Sequence, residues 1–97
     1  MTSEGRAPLH PARTHQFKRD LERCQRRGHD MDLARVVMGR LIHGEPLDPQ
    51  FRDHPLRGEF EGHRECHLRP DWLLVYRIHG DRITFERTGS HADLFGE

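Results

Sequence analysis

Trp72-Leu73-Leu74-Val75-Tyr76 is an unbroken apolar run in a chain where a third of the residues are charged. It opens a stretch, Trp72 to His79, that is apolar at first and then alternates, as a strand does. On its N-terminal side Gly62 to Arg69 also alternates. His63, Glu65, His67 and Arg69 fall on one face, and Arg64, Cys66 and Leu68 on the other. On its C-terminal side His79-Gly80-Asp81 makes a tight turn into a third strand, Arg82 to Thr88, with Ile83 and Phe85 inward. Connections this short make the three strands antiparallel neighbours.

The remaining residues read as support. A length of 97 residues predicts one domain, and an apolar share of 33% gives it a lean core. Residues 1–11 carry Pro8 and Pro11 and read as a mobile tail, leaving 12–97 as the domain. A poor strand around Ala12 to His15 would be confined to an edge by the nearby prolines. Gln16 to Arg27 reads as a helix capped by Thr14, with Phe17, Leu21 and Cys24 inward and Gly28 ending it. Lys18, Arg19, Arg23, Arg26 and Arg27 form its other face, for which a solvated surface outweighs direct RNA contact. Asp30 caps a second helix from Met31 to about His43, with Leu33, Val36, Val37, Met38, Leu41 and Ile42 apolar. The two helices predict a hairpin over one sheet face. Glu45 to Gly58, with Pro46, Pro49 and Pro55, reads as a long stiffened loop, a place where function often sits. Ser90 to Glu97 should return Leu94 and Phe95 to the sheet. The expected class is α+β, a helical hairpin on a small antiparallel-dominated sheet of three to four strands.

Sixteen basic residues balance sixteen acidic ones, which argues against a strong non-specific nucleic-acid binder. The distribution is uneven, since residues 6–40 hold nine basic and four acidic side chains. Two cysteines, Cys24 and Cys66, make no disulfide framework and suit buried thiols in a reducing cytoplasm. No window reaches transmembrane length, so the expectation is a cytoplasmic protein without a membrane partner.

Nine histidines are present, and several cluster with aspartate and arginine at strand ends. His67 and Asp71 share a parity if the first strand stays extended. His91 lies just past the third strand, and His54 sits between prolines on the loop. Such groups suit metal-independent RNA cleavage. One removes the ribose 2′-OH proton, another protonates the departing 5′-oxygen, and a cation steadies the phosphorane. Imidazole serves both proton transfers near neutrality. Trp72 and Phe95 offer stacking surfaces for a base, with core packing about equally expected for Trp72. Arg87 offers a phosphate contact or a plain ion pair with Glu65 or Glu86. A zinc site from His63, His67, Asp71 and His91 is the competing reading, weakened by strand spacing and by the lack of a CxxC or HExxH motif.

The segments RDHPLRG, GHRECHLRPDWLLVY and FERTGSHADLF resemble the YafQ branch of the RelE/ParE toxin superfamily. The resemblance runs nearly gap-free from Phe51 to Gly96 and more weakly back to about Phe17. It implies a RelE-like toxin of a type II toxin–antitoxin pair. Such a toxin enters the ribosomal A site, cuts translated mRNA without metal or other cofactor, leaves a cyclic phosphate, and is silenced by a cognate antitoxin. It carries catalytic roles onto His54, His67, Asp71 and His91, and substrate contacts onto Trp72, Arg87 and Phe95. On that mapping His54 and His91 are the leading acid–base pair, Asp71 and His67 their partners, and Arg87 the phosphate clamp. The alternatives on the same fold are a catalytically silent antitoxin-binding module and a ParE-like gyrase inhibitor. A zinc-dependent hydrolase is the further alternative, excluded if activity survives EDTA.

Overall fold

The computed structural model describes residues 7–96. A five-stranded sheet has the order β1-β5-β4-β3-β2, built from β1 (His10–Arg13), β2 (His54–Pro55), β3 (Arg64–Arg69), β4 (Trp72–His79) and β5 (Arg82–Gly89). The three central strands are the ones the alternation predicts, and their pairings are antiparallel. Two features depart from expectation. β1 pairs parallel to β5, which makes the sheet mixed. β2 is a fifth strand inside the segment expected to be loop. A two-residue strand carries no alternation, so periodicity alone does not reveal it. β1 also corrects the tail boundary. Its first residues, His10 and Pro11, are paired, while the part of the expected tail at 1–6 lies outside the described residues. Pro11 sits on an edge strand, where a missing N–H is tolerated.

Helices α1 (His15–Arg26) and α2 (Met31–Ile42) cover one face. Both begin at the predicted caps, where Thr14 accepts from the Phe17 N–H and Asp30 from the Leu33 N–H. Phe17, Cys24, Val37, Met38 and Leu41 pack against Trp72, Leu74, Tyr76, Ile83 and Phe85. Val36, expected in this core, is exposed, and Ala34 takes the inward place. The two thiols are fully buried, and burial pushes Cys66 up to about 12.

The opposite face is where the sheet meets the polar clusters. A short helix α3 (His91–Phe95) lies over it and seats Leu94 on Leu73 and Val75, with Leu56 and Phe60 alongside. This small second core explains why Trp72–Tyr76 is apolar at every position. Ser90 and Asp93 close a capping box at the start of α3. Asp93 also takes Arg27 at 2.7 Å and Arg23 at 3.6 Å. These arginines of the basic α1 face therefore clamp α3, a role between the solvated and RNA-contacting readings. The Arg27 hydrogen bond, with help from Ser90, holds the Asp93 carboxyl well below its ordinary range.

Gly89 lies directly under that clamp. A Cβ built there would come 2.8 Å from Asp93 Oδ2 and 2.9 Å from Asp93 Cβ, with φ at +157°. Gly89→Ala should therefore lower stability by about 1–3 kcal/mol, the range for overpacking. Thermal denaturation reads this, and an unchanged Tm would show that α3 is not held through this contact.

Candidate active site

His54 is positioned by an unusual piece of backbone. After a 3-10 turn at Pro49–Phe51, Arg52 adopts the left-handed region at φ 51° and ψ 46°. It is the single non-glycine residue with positive φ among the described residues. Such a conformation is disfavoured for a residue with a Cβ and tends to occur where function constrains the chain. Here the Arg52 carbonyl lies 2.6 Å from His54 Nδ1. A carbonyl only accepts, so Nδ1 carries the proton and Nε2 is left for other work. The intervening Asp53 fastens the loop to the sheet, accepting from the Tyr76 hydroxyl at 2.5 Å and Arg64 Nε at 3.2 Å. Burial and Asp53 raise the Tyr76 hydroxyl far above its usual range, so it stays a donor.

His54 pairs in register with Glu65 on β3, and His67 follows two residues on along the same face. The carboxylate Oε2 of Glu65 lies 3.3 Å from His54 Nε2 and 3.4 Å from His67 Nε2. Glu65 is 5% exposed, and its other oxygen, Oε1, is buried without a partner. The His54 and His67 rings are 5.9 Å apart, and His67 is 6.0 Å from His91, so the three imidazoles form a row. Asp71 Oδ1 accepts from both the backbone N–H of His91 at 2.9 Å and its Nδ1 at 2.6 Å. The N–H bond and then the ring bond hold the Asp71 carboxyl below its ordinary range. Phe95, 38% exposed, stands 6.5 Å from His91 and edge-on to Phe60.

The four residues expected to share the rim, His54, His67, Asp71 and His91, therefore meet there. Asp71 arrives by a different route from strand parity. The β3–β4 register shifts after His67, and the Pro70-Asp71 turn carries the carboxylate to α3. Trp72 is a correction. It is 1% exposed, stacks on His29 and donates through Nε1 to the Thr88 hydroxyl, so it is a core residue with no face free for a base. Arg87 is a second departure, because its Nε and Nη2 bond Asp20 of α1 at 2.8 and 3.4 Å, not Glu65 or Glu86. Nor does the four-residue zinc set assemble, as His63 turns to Glu86 at 3.4 Å. Among the described residues, the side chains whose ligand atoms do lie within 4.8 Å of one another are His54, Glu65 and His67.

Sequence reasoning passed over Glu65 as a site residue. Its place between His63 and His67 on the alternating face was the available signal. It also passed over a groove beside His67, about 430 Å³ in volume, walled by Gln50, Phe51, Arg52, Arg69 and Pro70. Two arginines, Arg52 and Arg69, line this groove next to the histidine row, and Arg69 also lies 3.6 Å from Asp30; arginine suits a phosphate backbone.

A family model described as the YafQ toxin of bacterial type II toxin–antitoxin systems matches residues 9–96. The mRNA interferase toxin YafQ of Escherichia coli (strain K12) is 42% identical over 82 residues, 84% of this chain and 89% of that protein. The crystal structure of YafQ from E. coli strain BL21(DE3) superposes with a TM-score of 0.87 at 37% identity, covering 91% of this chain and 99% of that one. The toxin in the E. coli DinJ–YafQ complex superposes with a TM-score of 0.85 at 38% identity, with the same coverage. Sequence and fold agree over nearly the whole length, and the chain belongs to the YafQ family of type II toxin–antitoxin toxins.

Proposed function

We propose that this toxin is a ribosome-dependent endoribonuclease that cuts translated mRNA by acid–base catalysis from its histidine row. The observation that carries the reading is the tethering of the outer imidazoles. His54 Nδ1 is held by the Arg52 carbonyl and His91 Nδ1 by Asp71, so Nε2 is the proton-transfer atom of each ring, and that of His54 faces Glu65 Oε2 at 3.3 Å. One Nε2 takes the proton of a ribose 2′-OH as that oxygen attacks phosphorus. The other gives a proton to the 5′-oxygen as its bond to phosphorus breaks. The products are a 2′,3′-cyclic phosphate and a 5′-hydroxyl, and the two histidines end with exchanged protonation states. His67 lies between them, 5.9 Å from the His54 ring and 6.0 Å from the His91 ring, while Phe95 beside His91 offers an exposed ring for an unpaired base. Arg52 and Arg69 line the approach along the groove.

The relatives support the wider setting. One is an mRNA interferase and another is held in a complex with DinJ, so we infer a cognate antitoxin for this chain as well. No helix among the described residues is long and apolar enough to cross a membrane. The net charge of zero implies a weaker electrostatic attraction to the ribosome than a basic toxin would have, so co-sedimentation should be strong only at low salt.

Primer extension on a translated message tests the reading. Cuts aligned to codons should appear with ribosomes engaged and fade on the same RNA without them. Equal cutting of naked RNA overturns ribosome dependence, and the absence of any cut overturns the nuclease assignment.

A further inference from the structure

We propose that Asp53 is a positioning residue for the nuclease: anchored to Tyr76 and Arg64, it holds the left-handed turn at Arg52 that aims the His54 ring, and it acts on cutting through that histidine alone. The inference rests on the nuclease reading. It starts from Arg52, whose φ of 51° and ψ of 46° make it the single non-glycine residue with positive φ among the described residues. A residue with a Cβ stays there only where its surroundings over-determine the backbone. The turn brings the Arg52 carbonyl to 2.6 Å from His54 Nδ1 and so fixes the ring.

The turn is held from both sides. Before it, Phe51 is buried in the helix-side core, and the Arg52 N–H donates to the Pro49 carbonyl at 3.0 Å. After it, Asp53 Oδ1 accepts from the Tyr76 hydroxyl at 2.5 Å and from Arg64 Nε at 3.2 Å. These two donors are register partners across β3 and β4, so Asp53 is tied to the middle of the sheet. Tyr76 is 1% exposed, and a hydroxyl donating to a carboxylate is one of the stronger hydrogen bonds. The strand that carries His54 is a poor anchor by itself. β2 is two residues long, and one of them, Pro55, has no N–H to give.

The anchor and the chemistry occupy opposite faces. Asp53 meets Tyr76 and Arg64, on the face whose Cys66 and Leu68 join the helix-side core. His54 meets Glu65 and His67 on the other face. Asp53 therefore reaches the reaction through the backbone it shares with Arg52 and His54. It holds a proton-transfer group in place and exchanges no proton with substrate.

The test measures cutting of translated message by the full chain. Asp53→Ala should lower kcat by about 10–10²-fold, the loss expected when a reacting group shifts by about 1 Å, and leave KM within about threefold. Asp53→Asn keeps an acceptor for Tyr76 and should recover part of that loss. Asp53→Ala also strands the buried Tyr76 hydroxyl, so its Tm should fall. Adding Tyr76→Phe removes the stranded group and should restore Tm, while cutting stays low. In a His54→Ala background Asp53→Ala should cost nothing further. By NMR the parent should show the strong HN–Hα contact within Arg52 that a positive φ produces, and Asp53→Ala should lose it. Cutting that returns together with Tm in the double variant overturns the proposal. A change in KM alone overturns it too, as does a loss on His54→Ala equal to that on the parent. If the parent never cuts RNA, the nuclease reading falls and the Arg52 signal decides the anchor: its loss in Asp53→Ala supports the hold on His54, and its retention overturns it.

Discussion

His91→Ala should reduce RNA cleavage by about 10²–10⁴-fold, the usual contribution of one positioned acid–base group, and should relieve the growth arrest caused by induced expression. The protein should stay folded. The His91 side chain is 41% exposed and lies outside both apolar clusters. The bond from its backbone N–H to Asp71 survives the substitution, as does the capping box between Ser90 and Asp93. The loss should therefore appear in cleavage and not in Tm. Asp71→Asn gives the companion result. The His91 contacts hold the Asp71 carboxyl below its ordinary range, so it remains ionised through the acid side of neutrality and keeps Nδ1 as the donor. Asparagine can present its N–H₂ instead, which leaves the ring free to turn or change tautomer. A smaller fall in cutting than for His91→Ala is expected. An alanine variant that cuts within threefold of the parent would show that the assignment of His91 is wrong.

The elements that were legible in the sequence are those with a period. β4 runs from Trp72 to His79 as its pattern predicts, and both helix starts follow from Thr14 and Asp30. The clustering of His54, His67, Asp71 and His91 followed from strand adjacency, because β3 and β5 flank β4. What stayed hidden depends on register and on long-range partners. A shift after His67 broke the parity argument for Asp71, and a second shift between Val75 and Tyr76 leaves Glu86 without a cross-strand partner. Trp72 has no sequence mark to separate a core indole from a stacking platform; the Thr88 hydroxyl that satisfies its N–H lies 16 residues away. Glu65 reads as one more charged residue on a polar face, yet it is buried, with His54 and His67 against its carboxylate. Asp20 was missed for a related reason: among the basic residues of α1 it looks like surface, yet it is completely buried.

Asp20→Ala should be among the most destabilising substitutions in the protein. β1 pairs β5 only as far as Phe85, so the β5 edge beyond it lacks a strand, and α1 lies there. Asp20 takes that strand's place. Its Oδ2 accepts from the Thr88 backbone N–H at 3.1 Å and from Arg87 Nε at 2.8 Å, while Oδ1 accepts from Gln16 and from Arg23, both at 3.0 Å. Burial alone would push its carboxyl up, but these donors prevail and hold it below the ordinary range. Removing one partner of a buried ion pair costs about 3–5 kcal/mol. The lower end is expected here, because Arg87 and Arg23 keep about a quarter of their side chains in solvent and can rehydrate. For a domain of this size about 3 kcal/mol lowers Tm by more than about 12 °C. A carboxyl with a depressed folded value stabilises fully above its unfolded value near 4 and loses that contribution as pH falls through the folded one. The Tm gap between parent and variant should therefore be widest near neutrality and close below pH ~4. The same experiment decides what Arg87 does. If its chief partner is Asp20, Arg87→Ala lowers Tm, and the double variant loses less than the sum of the two single losses. If Arg87 serves as a phosphate clamp, Arg87→Ala lowers cutting with little change in Tm, and the two substitutions add.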